Sequence, residues 1–467
     1  MVFSSSVFLF LFLPVLLAIY YCPIIKKRKY KNIILVLFSI AFYAWGEPVF
    51  VLLLLINIFI NYKMALCIEE TEKKAKSYLI IAICYNILIL FAFKYLDFAI
   101  SILNGVLGSN IPEMNLPLPI GISFYSFQAI SYLVDVYRKN SKAQKEVGNV
   151  ALYIALFPQL IAGPIVRYET ISQEISTRSE NWQDISQGIA RFIVGLSKKV
   201  LLSNAFGVLV DTYWSNSSLS VGMAWLLAIS YTLQIYFDFS GYSDMAIGLG
   251  KVFGFHFQEN FKYPYCARTI TEFWRRWHIS LSSWFRDYVY IPLGGNKVSR
   301  KRHFFNLFIV WLLTGIWHGA NWTFVLWGML YFVLLIIEKN LNHESKKIGI
   351  IGHIYTMFFV IIAWVIFRAV NVADAVRFLK NMFGMGADIV DNTFLIYLNS
   401  YKWYLIVGIM AALPLNEKLS NVKMLCMNKT LKMVQDVIYV IGMALLMILC
   451  IATIVKGSYN PFIYFNF

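Results

Sequence analysis

Apolar runs long enough to cross a bilayer recur from one end of this sequence to the other, and that repetition limits the fold more than any other feature. A spanning helix needs about 20 predominantly apolar residues. Runs of this kind lie at 3–22, 32–47, 48–62, 77–95, 220–238, 304–317, 320–338, 351–370, 401–416 and 434–455. Inside hydrocarbon every backbone polar group must be satisfied by the protein itself, so these runs predict helices. Composition agrees: 59% of residues are hydrophobic and 14% charged, against roughly 25% charge in an average soluble domain. Shorter or interrupted apolar stretches lie at 96–107, 117–136, 149–166, 188–212 and 241–257, and they carry Pro117, Pro119, Gly121, Pro158, Gly163 and Pro164. Broken backbone at membrane depth survives only inside protein or beside water. Some of these stretches are therefore expected to be re-entrant or interfacial. The fold class predicted is all-α and polytopic, a single transmembrane domain over 1–467 with about 10–12 spanning helices around a funnel or tunnel.

The net charge of +16 does not point to nucleic acid. The basic residues sit in short loops between apolar runs, at 63–76, 138–145, 297–303, 339–347 and 418–432, and not along one amphipathic face. Such loops mark the cytoplasmic side. With all of them inside, the last span runs outward and the tail at 457–467 is expected outside the cell. Residues 1–22 are apolar, but the basic cluster Lys26-Lys27-Arg28-Lys29 follows them. That is the reverse of a cleaved signal, so a first helix is expected there. The six cysteines show no metal-ligand spacing and read as small buried hydrophobes, and no metal is expected. The stretch 371–400 is expected to be an extracellular loop with an amphipathic helix.

Polar and ionisable residues in apolar surroundings are costly and mark functional sites by default. One patch runs from Trp311 to Trp322, with His318 midway in an apolar hairpin between Trp317 and Gly319. By position, His318 reads either as the cap of a turn at the outer interface or as a general base, since imidazole titrates near neutral pH. A second patch runs from Thr271 to Gly295 and contains Trp274, Arg275, Arg276, Trp277, His278, Trp284, Arg286, Asp287 and Tyr290. The three tryptophans share roughly one helical face. The patch reads either as an interfacial helix with snorkelling arginines or as a cytoplasmic pocket whose arginines pair the phosphates of an anionic cofactor. A third patch, Tyr236 to Asp244, places Asp238 and Asp244 around a turn at Ser240-Gly241, with Tyr242 and Ser243 beside it. Arg275, Arg276 or Arg286 are the expected partners of these carboxylates. Walker loop, dinucleotide fingerprint, zinc-binding helix and nucleophile elbow are all missing from the sequence.

Together these patches resemble the bacterial branch of the membrane-bound O-acyltransferase (MBOAT) superfamily, near the membrane subunits of alginate and peptidoglycan O-acetylation. The resemblance covers nearly the whole chain, with core motifs at 117–338. It includes Gly121-Ile122-Ser123-Phe124-Tyr125, Asp135-Val136-Tyr137-Arg138, Phe157 to Ile165, Trp317-His318-Gly319 and the segment from Trp284 to Gly295. It implies that His318 is the signature catalytic histidine and that His278 is a second polar residue facing the same tunnel. It also implies acetyl-CoA as a cytoplasmic donor, with no permanently bound cofactor, and an acceptor hydroxyl approaching from the other side. On this reading His318 removes the hydroxyl proton, while His278 or Asn321 orients the acyl carbonyl or stabilises the oxyanion. The residues lining the donor and acceptor paths are expected to be Asp238, Ser240, Tyr242, Ser243, Asp244, Trp274, Arg275, Arg286, Asp287, Tyr290 and Trp317. The tail Asn460-Pro461-Phe462-Ile463-Tyr464 resembles a C-terminal motif of this branch. There Tyr464 is expected either to relay the acyl group or to dock a partner. The implied partners are membrane lipids, a polysaccharide acceptor and a separate extracellular esterase/transferase of the SGNH type. A D-alanyl transferase of the same superfamily, or a flippase of glycan precursors built on broken helices, is the competing reading.

Overall fold

The computed structural model describes residues 1–341, 345–385, 388–415, 429–457 and 459–463. Among these residues the secondary structure is helical, with no strand. Seven helices among the described residues are long and apolar enough to cross a membrane: Phe50–Glu70, Glu72–Lys94, Trp182–Tyr213, Trp322–Asn340, Gly349–Arg368, Asn392–Ala411 and Lys432–Val455. The expected all-α, multi-pass membrane fold is thus what the chain adopts. Several other apolar runs form helices that are shorter or carry more charge, including Phe8–Tyr20, Arg28–Gly46, Ile122–Tyr137 and Arg300–His318. The interrupted run at 188–212 lies in one continuous helix, Trp182–Tyr213, with a π-helical turn at Lys198–Ser203 inside it.

The chain packs as two compact units, Met1–Phe192 with Ser243–Gln258, and Ile193–Tyr242 with Glu259–Phe467. The first unit is centred on a cluster of Phe3, Phe8, Phe12, Phe42 and Phe157 rings, with centroids 4.9–6.2 Å apart. Apolar packing alone gives little preference for one helix partner over another in lipid, so polar contacts set the pairing. Here Asn57 and Asn61 on one helix interlock with Asn86 on the next. Asn57 donates to Asn86 at 3.0 Å and Asn86 donates to Asn61 at 2.7 Å. At the end of this unit Glu180 accepts from Arg28 and Tyr20, each at 2.5 Å, and from Lys31 at 3.2 Å.

The second unit is built around tryptophans. Trp274, Trp277, Trp311, Trp327 and Trp364 are all buried, together with Tyr331 and Phe367. The hairpin of Arg300–His318 and Trp322–Asn340 closes on glycines. A Cβ on Gly315 would lie 2.5 Å from the Phe324 carbonyl oxygen, and one on Gly328 would overlap that of Trp311. The stretch expected as a loop at 371–400 holds the amphipathic helix Val372–Met382 and the start of the apolar helix Asn392–Ala411. Asn392–Ala411 and Lys432–Val455 leave almost all their side chains uncovered by the described residues, and those side chains are largely apolar, aliphatic or aromatic. Lipid is the solvent that suits such a surface.

Candidate active site

The segment expected as one helix with three aligned tryptophans is two short helices, Ile270–Arg276 and Ile279–Phe285. The first is capped twice. Thr269 accepts from the Glu272 amide at 3.0 Å, and the Glu338 carboxylate accepts from the amides of Ile270 and Thr271 at 2.5 and 2.9 Å. The chain breaks at His278, whose φ of 44° lies in the left-handed region. A non-glycine residue held there is under local strain, a condition that clusters at functional sites. The break turns the His278 side chain fully inward, to 0% exposure. Its Nδ1 lies 3.1 Å from Asn260 Oδ1. The ring stands edge-on to Phe239 at 4.6 Å and packs near Trp317 at 6.0 Å. Burial among these rings holds the imidazole well below its ordinary pKa and therefore neutral.

His318 ends the helix Arg300–His318 and is 4% exposed. Its ring lies 4.9 Å from Trp317, 4.9 Å from Trp327 and 5.1 Å from Phe367. His278 and His318, 40 positions apart in sequence, thus contact the same Trp317 indole. These three residues form one water-poor, aromatic-walled cluster. Neutral imidazoles in such a setting can accept protons or hydrogen bonds from a hydroxyl, and electrostatic effects there are stronger than in water.

The remaining expected residues lie around this cluster or apart from it. Trp274 packs edge-on into the hairpin core, 4.7 Å from Trp311 and 4.9 Å from Tyr331. Asn321 caps the helix Trp322–Asn340, accepting from the Thr323 amide at 3.1 Å and donating to the Val370 carbonyl at 2.7 Å. Arg275 is exposed, Arg286 binds Asp287 at 2.6 Å, and Tyr290 bonds His303 at 2.9 Å.

The acidic patch differs from expectation. There is no turn at Ser240-Gly241, because the helix Val221–Val252 runs straight through it. The small residues serve close helix packing instead: a Cβ on Gly241 would lie 2.7 Å from the Gly195 carbonyl oxygen. Ser240 and Ser243 are buried. The two carboxylates do not pair with the arginines at 275, 276 or 286. Asp244 pairs with Arg191 at 2.8 Å, and Asp238 pairs with Lys199 at 2.6 Å. A residue's helix-crossing neighbours, and not its neighbours in sequence, supply these partners.

The Lys199–Asp238 pair is almost fully buried, and it holds the C-terminal segment. Lys199 donates to the Pro461 carbonyl, Asp238 accepts from the Ile463 amide at 2.8 Å, and Asn204 donates to Asn460 at 3.2 Å. Tyr242 packs on Phe462 at 5.0 Å. Tyr464 lies outside the described residues. Lys199 and Asn260 are the two site-shaping residues that sequence reasoning missed. A lysine inside the apolar stretch at 188–212 was the available signal for the first; nothing in the sequence singled out the second.

Comparison with known proteins bears on this geometry. The family model of MBOAT, the membrane-bound O-acyltransferase family, matches residues 146–373. A protein of Pseudomonas putida described as "Probable alginate O-acetylase AlgI" is 38% identical over 100% of both chains. The peptidoglycan O-acetyltransferase of Helicobacter pylori is 36% identical over 82% of this chain and 80% of its own. The teichoic acid D-alanyltransferase of Streptococcus thermophilus is 29% identical over 50% of this chain and 61% of its own.

Proposed function

This chain belongs to the membrane-bound O-acyltransferase family and is an acyltransferase, and from that premise we propose that it acetylates a polysaccharide outside the cytoplasm, drawing on cytoplasmic acetyl-CoA. The acetylase relatives support this choice of acyl group, since they match along most of their length, whereas the D-alanyl relative matches half of this chain. The observation that carries the reading is the pair of buried histidines on one indole. His318 takes the proton of the attacking hydroxyl as its oxygen bonds the acyl carbon. The carbon–sulfur bond of the thioester breaks, and the proton leaves with the thiolate as coenzyme A. Lys199 and Asp238 seat the tail through Pro461 and Ile463, and Tyr464, the next residue in sequence, is the acyl relay of this reading. A separate extracellular transferase of the SGNH type completes delivery. The enzyme sits in the cell membrane with its basic loops inside and its tail outside.

The test is turnover of acetyl-CoA carrying a labelled acetyl group by the purified protein in lipid nanodiscs. His318→Ala is expected to reduce transfer by about 10²–10⁴-fold with the fold intact, the usual range for loss of a general base. Normal transfer by that variant would remove His318 as the base. Transfer of other acyl groups in preference to acetyl would redirect the donor assignment.

A further inference from the structure

Asn260 carries a constraint on His278 that its sequence position does not reveal. Asn260 Oδ1 receives the Ser280 amide at 3.2 Å and the Ser280 hydroxyl at 2.8 Å. An N–H from the backbone needs an acceptor, so the atom facing Ser280 is the amide oxygen and not the nitrogen. The same oxygen lies 3.1 Å from His278 Nδ1. That oxygen has no hydrogen to give, and the Ser280 hydroxyl, 3.4 Å from Nδ1, gives its one hydrogen to the same oxygen, so Nδ1 carries the proton of the neutral ring. His278 Nε2 is then a bare lone pair, and it is buried with no hydrogen-bond partner among the described residues. Buried polar atoms are nearly always satisfied, so an orphan of this kind in a strained residue points to a ligand. The Asn260 carbonyl also accepts from the Ile279 amide at 3.0 Å. Asn260 therefore grips the chain directly on the far side of the strained residue.

We infer that Asn260 is a positioning residue that holds His278 in its Nδ1–H tautomer, so that Nε2 accepts a hydrogen bond from the hydroxyl about to be acylated. This rests on the acyl-transfer reading and sharpens it. A ring whose only proton is given to Asn260 has none to offer a developing oxyanion. His278 orients the nucleophile, and His318 is left to take its proton. The arrangement follows the general logic in which a third group fixes the tautomer of a working imidazole.

The experiment uses the full chain in nanodiscs with ¹⁵N-labelled histidine rings, the His278 signals being assigned by their loss in His278→Ala. Wild type is expected to show a protonated Nδ1 and a bare Nε2. Asn260→Ala is expected to lose that signature and to lower kcat for acetyl transfer at least about tenfold with KM little changed. Asn260→Asp, which keeps an oxygen acceptor, is expected to retain the Nδ1–H signature and most of kcat, separating positioning from general damage to the fold. A wild-type ring protonated at Nε2, or an Asn260→Ala protein with unaltered kcat, would overturn the inference. The spectra need no acyl donor. A wild type that shows the signature but transfers no acetyl would count against the proposed reaction and not against the tautomer.

Discussion

Asp238 is the residue on which most depends for the C-terminal segment, because it neutralises Lys199 and accepts from the Ile463 amide in nearly complete burial. Removing one member of a buried ion pair leaves the other charge uncompensated, typically at a cost of about 3–5 kcal/mol. Asp238→Asn is therefore expected to destabilise the protein by an amount of that order and to release the segment 459–463. Thermal unfolding, together with faster protease cleavage of a C-terminal tag, would register both effects; an unchanged cleavage rate would mean that the pair does not seat the tail. At this scale the sequence was partly readable. His318, His278 and Trp317 stand out as polar and aromatic residues in apolar runs, but position alone left an interfacial reading open for each patch, and the family motifs chose between the readings. The partners of Asp238 and Asp244 were misjudged, since arginines close in sequence looked available while Lys199 and Arg191 arrive from a crossing helix. Asn260 was invisible because its role exists only once the loop at 260–262 lies along 276–279.

Between the helix that ends at His318 and its hairpin partner Trp322–Asn340, glycine permits the contact. Gly315 and Gly328 face one another so closely that an added methyl on either meets backbone and not a yielding side chain. Gly328→Ala is expected to cost about 1–3 kcal/mol through overpacking and to reduce acetyl transfer by moving His318 against Trp327. The control Gly442→Ala, where open space surrounds the position, should leave both unchanged; equal behaviour of the two variants in thermal unfolding and turnover assays would refute the argument. The helical hairpin was legible, as two apolar runs joined by Gly319-Ala320-Asn321. The break at His278 was not, because positive φ is the province of glycine and the sequence there offers Trp277-His278-Ile279. Ser240-Gly241 misled in the opposite sense. Small residues signal turns in water, but they also let membrane helices approach, and here the second use applies.

For the molecule as a whole, the apolar runs were enough to establish a multi-pass helical membrane protein, while the division into two packed units depends on long-range contacts that no local pattern records. The first unit also contains a device whose behaviour depends on pH. Burial alone raises the pKa of the Glu180 carboxyl, but hydrogen bonds from Arg28, Tyr20 and Lys31 outweigh it and hold the group down to about 2. A carboxylate depressed in the folded state stabilises fully above its unfolded value of 4.5 and loses that contribution as pH falls through about 2. Thermal unfolding in nanodiscs between pH 5 and 2 is expected to show wild type losing roughly 2 kcal/mol through this cluster, with Glu180→Gln less stable at pH 5 and flatter below it. Parallel curves would deny Glu180 that role. The strained backbone at His278 has a consequence for anyone who engineers this protein. Glycine would occupy that left-handed position without penalty, whereas every other residue pays for it. The same change would empty the space the imidazole fills beside Phe239 and Trp317 and release Asn260, so relief of the backbone and loss of packing oppose one another at 278, and an engineer must follow stability and turnover there together.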